Sequence, residues 1–194
     1  MANVHKSKPR IIEVAFLGDP QIGKSNLITT FTSNYYSGEY TATVEYTYTS
    51  DIILGDSSTA TISLHDLGGS PNHDHLRVLF LNVHTKVNAF ILCFEIGNDQ
   101  SIYNIKTKWW NIVKHAAKDV PIVVVGLMAD KDPERGWYEE KVKEIILGAD
   151  KNKNKKKKKN EEMGEGFSYA QCSTLTMKGF TEVFALIIKA ATQD

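Results

Sequence analysis

A run of glycine, lysine and serine near the N-terminus has the spacing of an anion-binding loop. Residues 18–25 read Gly-Asp-Pro-Gln-Ile-Gly-Lys-Ser, which matches the pattern G-x-x-x-x-G-K-[ST]. An apolar run at 11–17 precedes this phosphate loop, and we predict a helix over 23–32 after it. Successive backbone N–H groups of such a loop surround a phosphate at the N-terminus of the helix. The candidate ligand-binding residues of the loop are Gln21, Ile22, Gly23, Lys24, Ser25 and Asn26.

Two side chains at the end of this loop supply its expected chemistry. The Lys24 ammonium can reach the β- and γ-phosphates of a nucleoside triphosphate, and the Ser25 hydroxyl can ligate Mg²⁺. A chance match in a turn is the alternative, but strand, loop and helix occur in the order that the motif requires. The motif alone does not distinguish ATP from GTP.

A second acidic group is needed to hold the metal, and Asp66 is the candidate. It follows the strand-like run at 61–65 and begins the segment Asp-Leu-Gly-Gly at 66–69, 41 residues after Ser25. In a D-x-x-G segment the aspartate holds Mg²⁺ through water, and the glycine N–H, here that of Gly69, can contact a γ-phosphate. The D-x-x-G pattern is common by itself, so it supports a metal site here only because it follows a predicted strand.

Composition limits the fold and the class of function. The chain has 194 residues, 42% hydrophobic and 24% charged, which is typical of one globular α/β domain. No apolar run of about 18 residues predicts a membrane span, and the basic segment at 1–10 lacks the apolar stretch of a signal peptide. Two cysteines, Cys93 and Cys172, make no disulfide framework, and Cys93 is predicted to be buried. We therefore expect a cytoplasmic protein.

The formal net charge of zero conceals one strongly basic segment. Seven lysines lie between Lys151 and Lys159, and without them 16 basic residues face 23 acidic ones. The acidic remainder argues against a nucleic-acid-binding face, which needs Lys and Arg spread over the fold. The lysines either contact an anionic membrane, which would make the protein a peripheral membrane protein, or form a solvated loop.

The alternation of apolar runs and amphipathic stretches predicts an α/β fold around a mostly parallel sheet. We predict strands at 11–17, 47–54, 59–64, 89–94, 121–126 and 167–171, and helices at 23–32, 102–117, 137–147 and 179–191. Gly55 and Asp56 indicate that the second and third strands form an antiparallel hairpin. We expect a basic tail at 1–10, one domain over 11–194, and a lysine-rich insert loop at about 148–165.

The histidines and the paired tryptophans carry weaker signals. His65, His73, His75 and His84 are predicted to be exposed loop residues rather than zinc ligands, because no cysteine lies nearby and their spacing is generic. The pair at 109–110 is predicted to pack within a helix rather than to recognise a ligand.

Residues from about 10 to 191 resemble the small GTPases of the Ras superfamily, and the Rho/Rac-like branch in particular. The resemblance rests on residues 18–19 with 23–25, 43–44, 66–69, 89–94, 108–109 and 172–176. It implies a P-loop NTPase fold whose six-stranded sheet has one antiparallel strand and is flanked by helices. It also implies GTP and GDP as ligands, Mg²⁺ as the metal, and hydrolysis of GTP. The residues between Asp130 and Ser173 fit the Rho-type insertion.

The resemblance assigns roles to residues at the phosphate end of the site. Thr43 corresponds to the switch I threonine that ligates Mg²⁺ and contacts the γ-phosphate, so the implied metal ligands are Ser25, Thr43 and Asp66. Tyr40 corresponds to the tyrosine that closes over the phosphates. The implied catalytic residues are Lys24, Thr43, Gly69 and Ser70.

The resemblance also assigns residues to the guanine base. Tyr36 corresponds to an aromatic residue at the edge of the base. Asp130 resembles the aspartate that accepts from guanine N1–H and the exocyclic amine, which adenine cannot match. The loop of Ser173, Thr174 and Leu175 matches the one whose backbone N–H contacts guanine O6.

Four residues depart from the family pattern. Leu127 and Met128 stand where an asparagine or threonine and a lysine are usual, so affinity for guanine is expected to fall unless neighbouring groups compensate. Ser70 replaces the glutamine that orients the attacking water, and its side chain is too short for that task. Pro20 stands where a small residue is usual and would obstruct an activator's arginine finger, although it also suits a tight turn.

Three functions remain open from the sequence. The first is a Rho-like switch that hydrolyses GTP slowly. Its regulators and effectors would contact the segment that starts at Tyr36 and ends at Tyr46, and the segment that starts at Gly68 and ends at Phe80. The second is a pseudo-GTPase that acts as a binding module without a useful hydrolytic cycle. The third is a kinase or ATPase acting on ATP, against which Asp130 argues.

Overall fold

The computed structural model of the protein describes residues 10–36, 38, 42–83, 86–117, 119–132, 138–147 and 167–192. Tyr40, His84, the segment at 1–9 and the lysine-rich segment at 148–165 lie outside the described residues, so what the sequence predicts for them stays a prediction. Arg10, placed in the tail by the sequence, is the first residue of strand β1.

Six strands form one sheet in the described part of the chain. They are β1 Arg10–Gly18, β2 Glu45–Ile53, β3 Thr59–Leu67, β4 Ala89–Glu95, β5 Ile122–Leu127 and β6 Ser168–Gln171. Their order is β2-β3-β1-β4-β5-β6. Among the strands of the described residues, only the β2–β3 pair is antiparallel; β1 pairs in parallel with β3 and β4, and β5 with β4 and β6. The predicted mostly parallel six-stranded sheet is therefore confirmed.

Burial explains where each strand lies in the sheet. The central strands β4 and β5 are almost entirely buried, as continuous apolar runs in a doubly covered parallel sheet should be. The edge strand β2 alternates between exposed and half-buried positions. The hairpin turn between β2 and β3 is closed by hydrogen bonds from Leu54 N to Ser58 O (2.8 Å) and from Ser57 N to Leu54 O (2.9 Å).

The helices cover both faces of the sheet. They are α1 Lys24–Ser33, α2 Asp74–Val83, α3 Asp99–Asn104, α4 Trp110–Ala116, α5 Tyr138–Leu147 and α6 Phe180–Thr192, with a π-helical turn Ile105–Trp109 between α3 and α4. Two 3₁₀ turns, Pro71–His73 and Ala129–Lys131, follow β3 and β5. Buried residues of α1 and α6 form one core, and those of α2 to α5 form the other. No helix of the described residues is long and apolar enough to cross a bilayer.

No helix is predicted at α2 from the sequence, and the burial of residues in this helix is unusual. Arg77 and Phe80 are its buried residues, whereas Val78, Leu79 and Val83 are exposed. A cation therefore faces the core and aliphatic side chains face solvent, the reverse of the usual burial of charged and apolar residues.

Candidate functional site

The phosphate loop joins β1 to α1 at the carboxyl edge of the sheet. Gly23 precedes the first helical residue with φ +93°, a left-handed conformation that glycine adopts without steric cost. Lys24 is 94% buried, and its Nζ donates to the carbonyl oxygens of Gly18 (3.0 Å) and Asp19 (2.7 Å). The ammonium is thus folded back over the loop and held there by two acceptors.

Three oxygen-bearing side chains meet beside this lysine. Ser25 Oγ donates to Asp66 Oδ2 at 2.5 Å and lies 2.9 Å from Thr43 Oγ1. The three residues come from the first turn of α1, the segment before β2, and β3. Asp66 is fully buried, and its Oδ1 has no hydrogen-bond partner among the described residues.

The donor set and the unpartnered oxygen fit Mg²⁺. Hard hydroxyl and carboxylate oxygens are the ligands this ion takes, and it often binds through one or two carboxylates together with phosphates. A buried carboxylate oxygen without a partner is costly, and a cation or its bound water would satisfy it. Ser25, Thr43 and Asp66 would therefore hold the metal.

The charges of this cluster are poorly solvated. Burial lowers the pKa of Lys24 and raises the pKa of Asp66, and the hydrogen bond from Ser25 and the charge of Lys24 oppose the rise at Asp66. An anion beside the ammonium and a cation beside the carboxylate would each relieve a desolvation cost. The cluster is thus suited to a phosphate bound together with a divalent cation.

A cleft of about 290 Å³ opens in front of these groups. Its lining includes Gln21, Gly23, Lys24, Ser25, Asn26, Thr43, Asp66, Gly69 and Ser70. Gly69 packs on the phosphate loop so closely that a Cβ there would lie 2.4 Å from backbone atoms of Gly18, Asp19 and Pro20. No other residue type fits this position, so the D-x-x-G segment lies directly against the loop.

A sequence model of the Ras family matches residues 13–193 of this chain. The protein belongs to the Ras family. The Ras-like GTP-binding protein RhoL of Drosophila melanogaster is 33% identical over 129 residues, which cover 66% of this chain and 65% of that protein. The match therefore spans just under two thirds of the relative's length. The family membership predicted from the sequence is confirmed.

In this Ras-family protein the residues assigned to the base, which are Tyr36, Asp130 and the loop 173–175, do not line the cleft. The loops that carry the last two are joined by a hydrogen bond from Ala129 N to Cys172 O at 3.1 Å. Asp130 is exposed, whereas Ser173 is buried and its Oγ accepts from Thr176 N at 3.1 Å. The two loops that carry Asp130 and Ser173 therefore lie next to each other.

The departures in the base loop have clear structural positions. Leu127 is 98% buried at the end of β5 and belongs to the core cluster shared by α1 and α6. Met128 has φ +57°, and its Cε lies 3.4 Å from the position that a Cβ on Gly23 would have. A thioether thus lies against the phosphate loop where the family usually has a lysine stem. Ile22 packs in the same core, so only its backbone is available to a ligand.

Ser70 uses its side chain to cap the next element. Its Oγ accepts from Asn72 N at 3.4 Å at the start of the 3₁₀ turn Pro71–His73, and its carbonyl accepts from Arg77 at 3.0 Å. Pro20 is exposed and lines the cleft.

A network around Trp109 holds the phosphate loop, and the sequence analysis missed it. Trp109 is fully buried, and its Nε1 donates to Asp19 Oδ1 at 2.8 Å, while Asn104 Nδ2 donates to Asp19 Oδ2 at 2.8 Å. Packing within a helix, as predicted, is thus only part of the role of this tryptophan. The partners are 85 and 90 residues apart, so no local pattern could have indicated the contacts.

Arg77 connects the same network to the D-x-x-G segment. Its guanidinium lies 5.1 Å from the centroid of the Trp109 ring, over which Lys108 Nζ also lies at 4.5 Å. Arg77 donates to the carbonyl oxygens of Gly68 and Ser70 and pairs with Asp74. The buried cation that breaks the amphipathic pattern of α2 therefore fixes the backbone on both sides of Gly69.

The prediction that the histidines are exposed loop residues is wrong for His65. This residue lies in β3 and is 96% buried, because its Nε2 is 2.6 Å from Glu13 Oε2 and its Nδ1 is 3.0 Å from Thr47 Oγ1. These two polar partners on the neighbouring strands offset the desolvation cost of burying the imidazole. His75 is exposed as predicted but lies in α2 rather than in a loop, and His73 is half-buried in the 3₁₀ turn Pro71–His73. The described residues contain no group of three His, Cys, Asp or Glu side chains that could hold a metal.

Both cysteines are buried free thiols. Burial raises the pKa of Cys93, and it raises the pKa of Cys172 to about 12, so neither is a reactive thiolate. The predicted burial of Cys93 is confirmed.

Proposed function

We propose that this Ras-family protein binds guanine nucleotides with Mg²⁺ and hydrolyses GTP slowly, as a Rho-like molecular switch. The observation that carries the proposal is the convergence of Ser25, Thr43 and Asp66 beside the buried Lys24. Ser25 Oγ lies 2.5 Å from Asp66 Oδ2 and 2.9 Å from Thr43 Oγ1. The family match and the name of the Drosophila relative support guanine nucleotide and the Rho-like character.

Each group in the cleft has a task in binding the triphosphate. Lys24 places its charge at the β- and γ-phosphates, and the two carbonyl acceptors orient it before the ligand arrives. Ser25, Thr43 and Asp66 would hold Mg²⁺, which would neutralise charge on the phosphate oxygens. The backbone N–H of Gly69 is the donor for the γ-phosphate, on a segment that already lies against the phosphate loop.

The switch would work through two segments that the γ-phosphate holds in place. Thr43 belongs to the segment from Tyr36 to Tyr46, and Gly69 belongs to the segment from Gly68 to Phe80. A hydrogen bond from Gly68 N to Val44 O (2.9 Å) joins the two segments to each other. Loss of the γ-phosphate removes a shared anchor, so both segments are released and partners that recognise the ordered form dissociate.

Two features support a resting state bound to GTP. The Ser70 side chain caps a turn, and Pro20 obstructs the approach of an arginine finger, which can contribute about 10³–10⁵ in rate. Leu127 and Met128 offer the base no amide or ammonium, so GDP should leave readily. Since cells hold more GTP than GDP, mass action would reload the protein without an exchange factor.

Removing the lysine charge tests the proposal. Lys24→Ala should abolish binding of labelled GDP and GTP, because Lys24 is the ammonium that the motif directs at the phosphates. Lys189→Ala, at an exposed position of α6, is the matched control and should bind as the wild type does. Denaturant unfolding of both variants shows that they are folded. Unchanged GDP affinity in Lys24→Ala would overturn the assignment.

A further inference from the structure

We propose that Lys131 and Tyr138 position Asp130 for recognition of the guanine base. This inference rests on the proposed function and adds two positioning residues that determine its specificity. Asp130 lies on the 3₁₀ turn Ala129–Lys131, which follows β5. Leu127, at the end of β5, packs in the core and offers no polar group to hold this turn. The orientation of Asp130 therefore depends on contacts that other side chains make with the turn.

An ion pair ties the last residue of the turn to the last residue of β4. Lys131 Nζ donates to Glu95 Oε1 at 2.5 Å, and Asn98 Nδ2 donates to Glu95 Oε2 at 3.3 Å. Burial would raise the pKa of Glu95, but these hydrogen bonds and the charge of Lys131 outweigh burial and lower that pKa, so the carboxylate is ionised at neutral pH. The Lys131 side chain is 52% exposed and that of Glu95 only 20%, so solvent screens the pair incompletely.

A buried tyrosine holds the residue that follows the turn. The Tyr138 hydroxyl donates to Asp132 Oδ2 at 3.0 Å and accepts from Gly97 N at 3.0 Å. Gly97 lies two residues after the end of β4. The two residues that directly follow Asp130 are thus both tied to the segment 95–97.

Two backbone hydrogen bonds fix the other side of the turn. Ile96 N donates to Leu127 O at 2.9 Å, and Ala129 N donates to Cys172 O at 3.1 Å. Asp130 is therefore anchored on both sides, while its own side chain is exposed to a ligand. A carboxylate that accepts from N1–H and the exocyclic amine of guanine at the same time needs a fixed orientation, which these anchors supply.

The ion pair also faces the phosphate loop. Glu95 and Lys131 line a cleft of about 610 Å³ together with Asp19 and Gln21, which belong to that loop. The contacts that hold the Asp130 turn therefore lie next to the loop that would bind the phosphates of the same nucleotide.

The affinities for GDP and inosine diphosphate test the proposal. Inosine diphosphate lacks the exocyclic amine, so the ratio of its dissociation constant to that of GDP reports the hydrogen bond from this amine to Asp130. Tyr138→Phe and Lys131→Met should each lower the ratio about two- to fivefold, the effect of losing one hydrogen bond or one partly exposed ion pair. Lys131→Arg keeps the charge and the donors, and it should retain the wild-type ratio.

Asp130→Ala shows whether the two side chains act through Asp130. In that background neither Tyr138→Phe nor Lys131→Met should change the ratio further. The matched control is Lys143→Met, which breaks an ion pair of 2.9 Å with Glu139 within α5 and should leave the ratio unchanged. Urea unfolding of each variant shows that it is folded.

The results distinguish a failure of this inference from a failure of the proposed function. A wild type that prefers GDP, with an unchanged ratio in both single variants, overturns the inference alone. An equal loss of affinity for both diphosphates assigns the two side chains a purely structural role and also overturns it, as does a change of the ratio that persists in Asp130→Ala. A wild type that binds both diphosphates equally overturns it too, because Asp130 then does not recognise the amine. A wild type that binds neither diphosphate overturns the proposed function itself.

Discussion

Replacing Trp109 with phenylalanine should loosen the phosphate loop while an aromatic ring remains in the core. The substitution removes the hydrogen bond from Nε1 to the Asp19 carboxylate, leaving Asn104 as the remaining donor named above. It also shrinks a fully buried ring that lies under Arg77 and Lys108. A hydrogen bond to a charged group contributes about 1.5–3 kcal/mol, and with the smaller ring we expect about 2–4 kcal/mol of destabilisation.

Urea unfolding followed by far-UV circular dichroism measures this loss. A double-mutant cycle with Asp19→Ala isolates the pair, and the coupling free energy should be about 1.5–3 kcal/mol. The control is Trp110→Phe on the next residue, whose half-buried ring packs edge-on against Phe167 at 5.8 Å. A coupling below about 0.5 kcal/mol would refute the argument that Trp109 holds the loop through Asp19.

Three further predictions concern the base loop, the metal and the lysines. Leu127→Asn combined with Met128→Lys should slow the release of labelled GDP in stopped-flow fluorescence, since each regained hydrogen bond contributes about 0.5–1.5 kcal/mol; unchanged release contradicts this. Burial raises the pKa of Asp66 above its value in the unfolded chain. The ionised carboxylate therefore destabilises the folded protein at neutral pH, and the folded protein gains stability as the pH falls through the folded pKa. Asp66→Asn should therefore raise the free energy of unfolding of the ligand-free protein at neutral pH. It should also abolish the increase in that free energy that Mg²⁺ causes in the presence of GDP; an increase that remains in the variant would show that Asp66 is not a metal ligand. Serine in place of the lysines at 151–159 should leave nucleotide affinity unchanged and weaken cosedimentation with anionic vesicles. A wild-type protein that does not bind such vesicles at low salt would contradict the predicted membrane contact.

Local patterns predict most of the sheet and part of the site. The continuous apolar runs of β4 and β5 and the Gly55-Asp56 turn are signals carried by a few neighbouring residues, and the structure contains the strands and the hairpin that they predict. The phosphate loop is equally local, because its glycines and Lys24 lie within eight residues. Asp66 could be found because it follows a strand.

The features that sequence reasoning missed depend on contacts between distant residues. The burial of His65 needs Glu13 on one neighbouring strand and Thr47 on the other. The inverted polarity of α2 becomes intelligible only when Arg77 is seen to bind carbonyl oxygens beside Gly69. Hydropathy treats a buried arginine as a surface residue, so the burial of Arg77 cannot be predicted from the local sequence.

Nucleotide selectivity tests the central claim most directly. Equilibrium binding of fluorescently labelled GDP, GTP and ATP to the purified wild type, with Mg²⁺ and with a chelator, compares the alternatives in one experiment. We predict that the guanine nucleotides bind in the presence of Mg²⁺, that the chelator weakens their binding, and that Asp130→Ala erases the preference for GTP over ATP. Binding of ATP as tight as that of GTP, or no binding of any of the three, would contradict this prediction.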